Sequence, residues 1–352
     1  VVATLVTGAD AVSITATAGD ITVGAITATA GTLGVTATAG SINDAADDNT
    51  VDFTAGGVIT LTAQDEIGVL GSGSDTDLEF AASSSVNVSS TGTGNIDLDG
   101  LGALTLSDVD TSDGSITVDA GGALTVTDVA TGNNNAIALT TSSGDITGLA
   151  TVNAGSGAVT LNSAGAIVDD SDASTVVTGG VLTADAAGAI TIDSTVTSAD
   201  ISTSAAGAID LDETDGITLS DVDTNDGSIT VDAGGAITAT DVVAAGGSGD
   251  SVTLSTTTGG VVATLVTGAD AVSITATAGD ITVGAITATA GTLGVTATAG
   301  SINDAADDNT VDFTAGGLIT LTAQDEIGVL GSGSDTDLEF AASSSVNVSS
   351  TG

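Results

Sequence analysis

Hydrophobic residues recur along this 352-residue chain in short segments of the form apolar, polar, apolar, bounded by glycine-rich turns. Side chains alternate between the two faces of a strand, so this pattern with its β-branched residues predicts short β-strands. The step from Leu104 to Leu124 predicts one turn of a solenoid for about every 20 residues. The segments include Leu104–Leu106, Ile116–Val118, Leu124–Val126, Val159–Leu161, Ile190–Ile192, Ile209–Leu211 and Ile229–Val231.

The residues between these segments predict tight corners. They read AGG, TAGD, SSGD and DG, where glycine permits a positive φ and Asp or Ser caps the turn. Helix is not expected, because the dominant residue types are poor helix formers. The predicted fold is therefore all-β: an elongated parallel β-solenoid (β-helix) with turns of about 20 residues and a thin core of Val, Ile, Leu and Ala. A string of β-sandwich domains of about 100 residues is the alternative.

Repeats occur at two longer scales. Residues 1–92 recur as residues 261–352 with the single difference of Val58 against Leu318, so the long period is 260 residues. Residues 106–129 recur, with small changes, as residues 219–242. We therefore expect residues 1–260 to be one full long repeat of a continuous solenoid and residues 261–352 to begin a second, without an independent linker. The chain reads as an excerpt of a longer array.

Aromatic residues are confined to two phenylalanines per long repeat. These are Phe53 and Phe80, with copies Phe313 and Phe340. We expect them to fill the core or to stack at its end. A platform for stacking sugars is the other interpretation.

The composition removes most catalytic chemistry. The chain contains no Lys, Arg, His, Cys, Met, Pro, Trp or Tyr. A nucleophilic Ser or Thr has no base of the usual kind, and no lysine is present for a phosphate-binding loop. Paired carboxylates could cleave glycosides, but few groups remain to position a substrate. We therefore expect that the protein is not an enzyme.

The acidic side chains give a net charge of −46, which no basic side chain offsets. At about 20 residues and about 4.8 Å per turn, these charges would lie about 2 Å apart along a solenoid, close to the spacing on duplex DNA. We expect divalent cations and further copies of the chain as partners, and no binding to nucleic acid. Membrane insertion is not expected either, because no apolar run approaches about 18 residues.

Three stretches share the spacing D-x-D-x-x-D-G, which provides clustered oxygen ligands next to a glycine bend. Calcium takes six to eight oxygen ligands, so these stretches are candidate calcium sites, with ordinary capped turns as the other interpretation. The candidate ligands are Asp108, Asp110 and Asp113; Asp210, Asp212 and Asp215; and Asp221, Asp223 and Asp226. Weaker acidic clusters are Asp44, Asp47, Asp48 with Asp52, and Asp169, Asp170 with Asp172.

The stretches VSITATAGDITVGAITATA and GSITVDAGGALTV resemble the haemagglutinin-type repeats of large bacterial surface adhesins and exoproteins. The resemblance implies a parallel β-helix at the cell surface or outside the cell. We therefore expect a structural repeat segment of a giant extracellular filament that self-assembles with its charge screened by cations. The alternative is a calcium-binding adhesin stalk that presents a distal ligand-binding tip.

Overall fold

The computed structural model describes residues 1–46, 49–68, 77–172, 176–305, 309–328, 337–341 and 345–352. In this part of the chain all regular structure is β-strand, with no helix. Two compact units are present, Val1–Gly180 and Val181–Gly352. Within each unit, parallel strands stack as a β-solenoid with about 21 residues per turn. The predicted fold class is confirmed, and the β-sandwich alternative is wrong because sandwiches are built from antiparallel sheets.

The strands are short, and most have three to eight residues. In chain order they are β1 Val2–Gly8, β2 Val12–Ala16, β3 Ile21–Ala28, β4 Leu33–Ala37, β5 Ile42–Asp44, β6 Phe53–Ala55, β7 Ile59–Ala63, β8 Leu78–Phe80, β9 Ser84–Ser90, β10 Ile96–Gly100, β11 Leu104–Thr111, β12 Ile116–Ala120, β13 Leu124–Val126, β14 Asp128–Thr131, β15 Ile137–Thr141, β16 Ile146–Leu149, β17 Thr151–Asn153, β18 Ala158–Ser163, β19 Ile167–Asp169, β20 Val177–Ala186, β21 Ile190–Ala206, β22 Ile209–Glu213, β23 Ile217–Asp226, β24 Ile229–Ala233, β25 Ile237–Ala239, β26 Val242–Ala244, β27 Val252–Thr256, β28 Val261–Gly268, β29 Val272–Ala276, β30 Ile281–Ala288, β31 Leu293–Ala297, β32 Ile302–Asp304, β33 Phe313–Ala315, β34 Leu318–Ala323 and β35 Ser345–Ser350.

Equivalent residues of successive turns lie directly over one another in the first unit. Leu104 pairs with Leu124, as the sequence step predicts. A second inward stack runs through Ile96, Ile116, Ile137 and Val159, all at most 1% exposed. Each turn thus buries its apolar positions against the same positions of its neighbours, which is the main source of stability in a repeat protein.

The second unit contains a longer inward stack of the same kind. Its members are aliphatic and at most 1% exposed. They are Ile190, Ile209, Ile229, Val252, Val272, Leu293 and Ile319. The start of the second long repeat at Val261 lies inside this unit, where Val261 pairs with Ile237 of the first repeat.

The corners use glycine for two different reasons. Gly144 and Gly259 have φ of 84° and 90°, a conformation that other residues rarely adopt, as the sequence predicts. Gly114 instead allows close approach, because a Cβ there would lie 2.1 Å from the carbonyl oxygen of Gly94 in the preceding turn. Buried hydroxyls complete the corners: that of Thr141 donates to the Gly144 carbonyl at 2.9 Å.

The phenylalanines belong to the core. Phe53 and Phe80 are fully buried, and their ring centroids lie 5.4 Å apart on adjacent turns. Phe313 and Phe340 repeat this arrangement at 5.4 Å, although Phe340 is half-buried. The prediction that these residues fill the core is confirmed for Phe53, Phe80 and Phe313.

Candidate functional site

Outward carboxylates form ladders across the turns. In the second unit Asp193, Asp212 and Asp232 occupy one register position on three successive strands. In the first unit Glu79, Asp99 and Asp119 do the same. Adjacent parallel strands lie about 4.8 Å apart, so each acid has its nearest acidic neighbours on other turns.

The first predicted calcium stretch lies on β11 and the turn that follows it. Asp108 and Asp110 are exposed on alternate positions, and Asp108 accepts a hydrogen bond from Asn87 Nδ2 at 3.3 Å. Asp113 accepts one from Asn135 Nδ2 at 3.1 Å. Burial raises the pKa of Asp128, and the charges of Asp108 and Asp110 raise it further. These acids therefore interact mainly across turns.

The second predicted calcium stretch is likewise divided between a strand and the turn that follows it. Asp210 and Asp212 are exposed on β22, and Asp215 lies in the turn after it. Asp210 is flanked in register by Thr191 and Thr230, whereas Asp212 belongs to the ladder described above. Two of the three side chains extend from the strand and the third from the turn after it, so they do not share a single binding loop.

The third stretch, Asp221, Asp223 and Asp226, lies entirely on β23. Burial, and then the charges of Asp221 and Asp241, raise the pKa of Asp223 to about 6. The Oδ1 atoms of Asp223 and Asp241 are buried and accept no hydrogen bond. This cluster is the most crowded part of the predicted set.

None of the nine predicted aspartates belongs to a group of three carboxylates whose ligand atoms come within 4.8 Å of one another in the described residues. On a strand, residues two apart share a face but are separated by nearly 7 Å. Calcium binding at these positions stays a prediction. An ion bound there would be held by carboxylates on adjacent turns and not by those of a single loop.

The weaker acidic clusters named in the sequence analysis lie in different surroundings. Asp169 and Asp170 accept hydrogen bonds from the backbone N–H groups of Ser171 and Asp172 at 3.3 and 3.0 Å, as turn-capping residues do. Asp47 and Asp48 lie outside the described residues. Asp44 and Asp52, however, form a triad with Glu79. Within the described residues this is the one group of three whose carboxylate oxygens all lie within 4.8 Å of one another.

The sequence interpretation missed Glu79. It lies between the inward residues Leu78 and Phe80 and points away from the core, yet its exposure is 0%. Asp52 precedes Phe53 as Glu79 precedes Phe80, and the backbone N–H of Glu79 donates to Asp52 Oδ2 at 3.2 Å. The signal was present in the sequence: two phenylalanines one turn apart, each preceded by an acid.

Two carboxyl groups of this triad, those of Asp52 and Glu79, have strongly raised pKa values. Burial raises the pKa of Glu79 well above its usual range, and the neighbouring Asp52 carboxyl raises it further. Burial also raises the pKa of Asp52, against a smaller lowering by its contacts with Glu79. Each group resists carrying an unscreened negative charge, because little water reaches it.

The long repeat copies the triad as Asp304, Asp312 and Glu339 in the second unit. The backbone N–H of Glu339 donates to Asp312 Oδ2 at 2.8 Å, as in the first copy. Glu339 is half-buried, whereas Glu79 is fully buried beneath neighbouring residues. In the first copy the strand Ile96–Gly100 also pairs with β8, and Asp99 lies in register with Glu79.

Two surface grooves lie in the second unit. One, of about 660 Å³, is lined in part by Asp325, Glu326 and Val348. The other, of about 440 Å³, is lined by Ala, Gly, Ser, Thr and Val residues, among them Val243 and Thr267. Their polar groups are hydroxyls, carboxylates and backbone atoms, since the sequence has no basic side chain.

Comparison with protein-family models, curated proteins and solved structures finds no match to this chain. The likeness to haemagglutinin-type repeats therefore stays a prediction. In the part of the chain that the structure describes, no helix is long and apolar enough to cross a membrane.

Proposed function

We propose that the chain is a structural segment of an extracellular or cell-surface filament whose acidic surface requires cations. The observation that carries this proposal is the inward stack of seven aliphatic residues from Ile190 to Ile319. In nearly every turn the inward residues pack against those of the neighbouring turns, which suits a load-bearing role. The sequence also lacks the bases and cationic groups that most enzymes use.

The surface supports the cation requirement. Like charges in register destabilise a pair of strands, and the ladder of Asp193, Asp212 and Asp232 repeats that contact on successive turns. Counterions or bridging divalent cations relieve this repulsion, and bridging also joins neighbouring rods. Extracellular fluids supply such cations, and the outside of the cell is where filaments of this kind act.

The test is assembly of the 352-residue chain in sodium, magnesium and calcium salts at matched ionic strength. We expect thin filaments by negative-stain electron microscopy, and faster sedimentation in divalent salts than in sodium. A substitution set that neutralises one ladder, Asp193→Asn with Asp212→Asn and Asp232→Asn, should reduce the dependence on divalent cations. A chain that stays monomeric in all three salts would contradict the proposal.

A calcium-loaded adhesin stalk is the second candidate function. The observation that favours it is the crowding of carboxylates around Asp223, where two buried oxygens lack donors. Such a stalk would stiffen on binding calcium without joining its neighbours. Calcium that raises the melting temperature while the chain sediments as a monomer would favour the stalk over the filament.

A further inference from the structure

The rest of the described fold provides no hydrogen bonds that would offset the burial of the Glu79 carboxylate. Its exposure is 0%, and neither Oε1 nor Oε2 has a hydrogen-bond partner. An unpartnered buried carboxylate costs several kcal/mol unless a proton or a cation neutralises it. Such a group is where an additional ligand is expected.

Glu213 shows how the same fold buries a glutamate without a ligand. It is 4% exposed, and its Oε2 accepts hydrogen bonds from the Ser194 hydroxyl at 2.7 Å and the Val196 N–H at 3.1 Å. Its Oε1 accepts a third from the Asp215 N–H at 3.2 Å. Glu79 has no such set of donors and faces two further acids.

The surroundings of Glu79 are acidic. Ligand oxygens of Asp44, Asp52 and Glu79 all lie within 4.8 Å of one another. Asp52 is 3% exposed, and Asp44 is half-buried and opens the cluster towards solvent. The chain contains no Lys, Arg or His, so none of its side chains can supply a positive charge. Neutralisation must come from protons or from a cation in solution.

We propose that Asp44, Asp52 and Glu79 form a calcium site between adjacent turns of the solenoid. Three carboxylates provide hard oxygen ligands, and their separations, all within 4.8 Å, do not exceed about twice a calcium–oxygen distance of 2.3–2.6 Å. Magnesium retains several waters, for which the buried oxygens of Glu79 leave little room. Zinc and copper prefer nitrogen or sulfur ligands that the chain lacks. The ion would tie Asp44 and Asp52 to Glu79 on the next turn.

Glu79 also begins the ladder with Asp99 and Asp119, but the triad around it differs from the exposed parts of the ladders in kind. The ladders attract a diffuse atmosphere of ions, whereas the triad would hold one ion at a fixed position. Calcium binding here goes beyond the filament proposal, because the site would bind whether or not the chain assembles.

The experiment is isothermal titration calorimetry with calcium chloride on chelator-stripped protein at neutral pH, with magnesium chloride as the comparison. We expect one saturable step above a shallow background from the ladders, with magnesium weaker by about tenfold or more. Glu79→Gln should abolish that step. The matched variant Glu339→Gln alters the more exposed copy, so it should leave the step intact.

A second variant distinguishes loss of the calcium site from misfolding of the chain. Asp44 is half-buried, so Asp44→Asn should retain the strand signal in circular dichroism and still lose the saturable step. Persistence of that step in both Glu79→Gln and Asp44→Asn would overturn the site. Identical shallow uptake by all the variants and the unaltered chain would also overturn it, while leaving any filament formation untouched.

Discussion

Residues 1–92 and 261–352 differ at one position, yet the fold buries different parts of them. Val1 is 55% exposed, whereas its copy Val261 is 1% exposed, because Val261 pairs with Ile237 of a preceding turn. The difference reverses later in the repeat, where Glu79 is fully buried and Glu339 is half-buried. Burial in this architecture therefore depends on which turn lies above or below a residue, and not on local sequence alone.

The comparison makes each repeat a control for the other. Equivalent positions in the two copies have the same neighbours in sequence, but they differ in whether an adjacent turn buries them. The difference between the two variants therefore measures what stacking by an adjacent turn contributes, as nearest-neighbour models of repeat proteins require.

The largest difference is expected at Val266 and its copy Val6. Val266 is fully buried between Val242 and Ile286, whereas Val6 is half-buried. Val266→Asp should cost about 4 kcal/mol or more, because it places an unpaired charge inside an apolar stack. Val6→Asp should cost about 1 kcal/mol, because its carboxylate can reach water. Urea denaturation followed by circular dichroism measures both, and equal losses would contradict the importance of stacking.

A smaller difference is expected at the phenylalanines. Phe80→Ala removes a fully buried ring that stacks on Phe53 and should cost about 3–5 kcal/mol. Phe340→Ala removes a half-buried ring and should cost about half as much. Thermal unfolding of both variants checks this. A larger loss for Phe340→Ala would show that the second copy is covered in solution.

Much of the fold could be predicted from the sequence, because strands and corners are local features. The step from Leu104 to Leu124 gave the correct register, and glycine gave the corners. The reason for glycine was only partly predictable: the close approach of Gly114 to Gly94 depends on the preceding turn.

The candidate site was less predictable, because the turns differ in length. Ile190 and Ile209 are one turn apart, and so are Phe53 and Phe80, although the second pair has the longer separation in sequence. A spacing such as that from Asp108 to Asp113 therefore says little about which carboxylates meet. Asp52 and Glu79 meet because the phenylalanines that follow them, Phe53 and Phe80, pair in register on adjacent strands.

The triads themselves should respond to loss of their glutamate carboxyl groups in metal-free protein. Burial raises the pKa of Glu79 so far that this carboxyl must take up a proton on folding at neutral pH, so Glu79→Gln should raise the free energy of unfolding by about 1–2 kcal/mol. Glu339→Gln should raise it by less, because the Glu339 side chain is only half-buried. As a control, Glu213→Gln should destabilise the protein, since an amide cannot accept all three of its hydrogen bonds. Chemical denaturation at neutral pH measures all three, and destabilisation by Glu79→Gln would argue that its carboxylate is satisfied.

The smallest effect is expected outside the two copies of the long repeat, at Asp223. Burial and the charges of Asp221, Asp241 and Asp200 raise its folded-state pKa to about 6, above the ordinary value of 3.8. The folded state therefore binds more protons than the unfolded state between these values, so stability from this group is present below pH 4 and is lost as the pH rises through 6. Solvent screening limits the effect to about 1 kcal/mol. Asp223→Asn should flatten the melting temperature between pH 4 and pH 7, whereas Asp210→Asn, on an exposed strand position, should leave its slope unchanged. An unaltered slope in Asp223→Asn would show that the four aspartates are screened as well as the exposed ladders are.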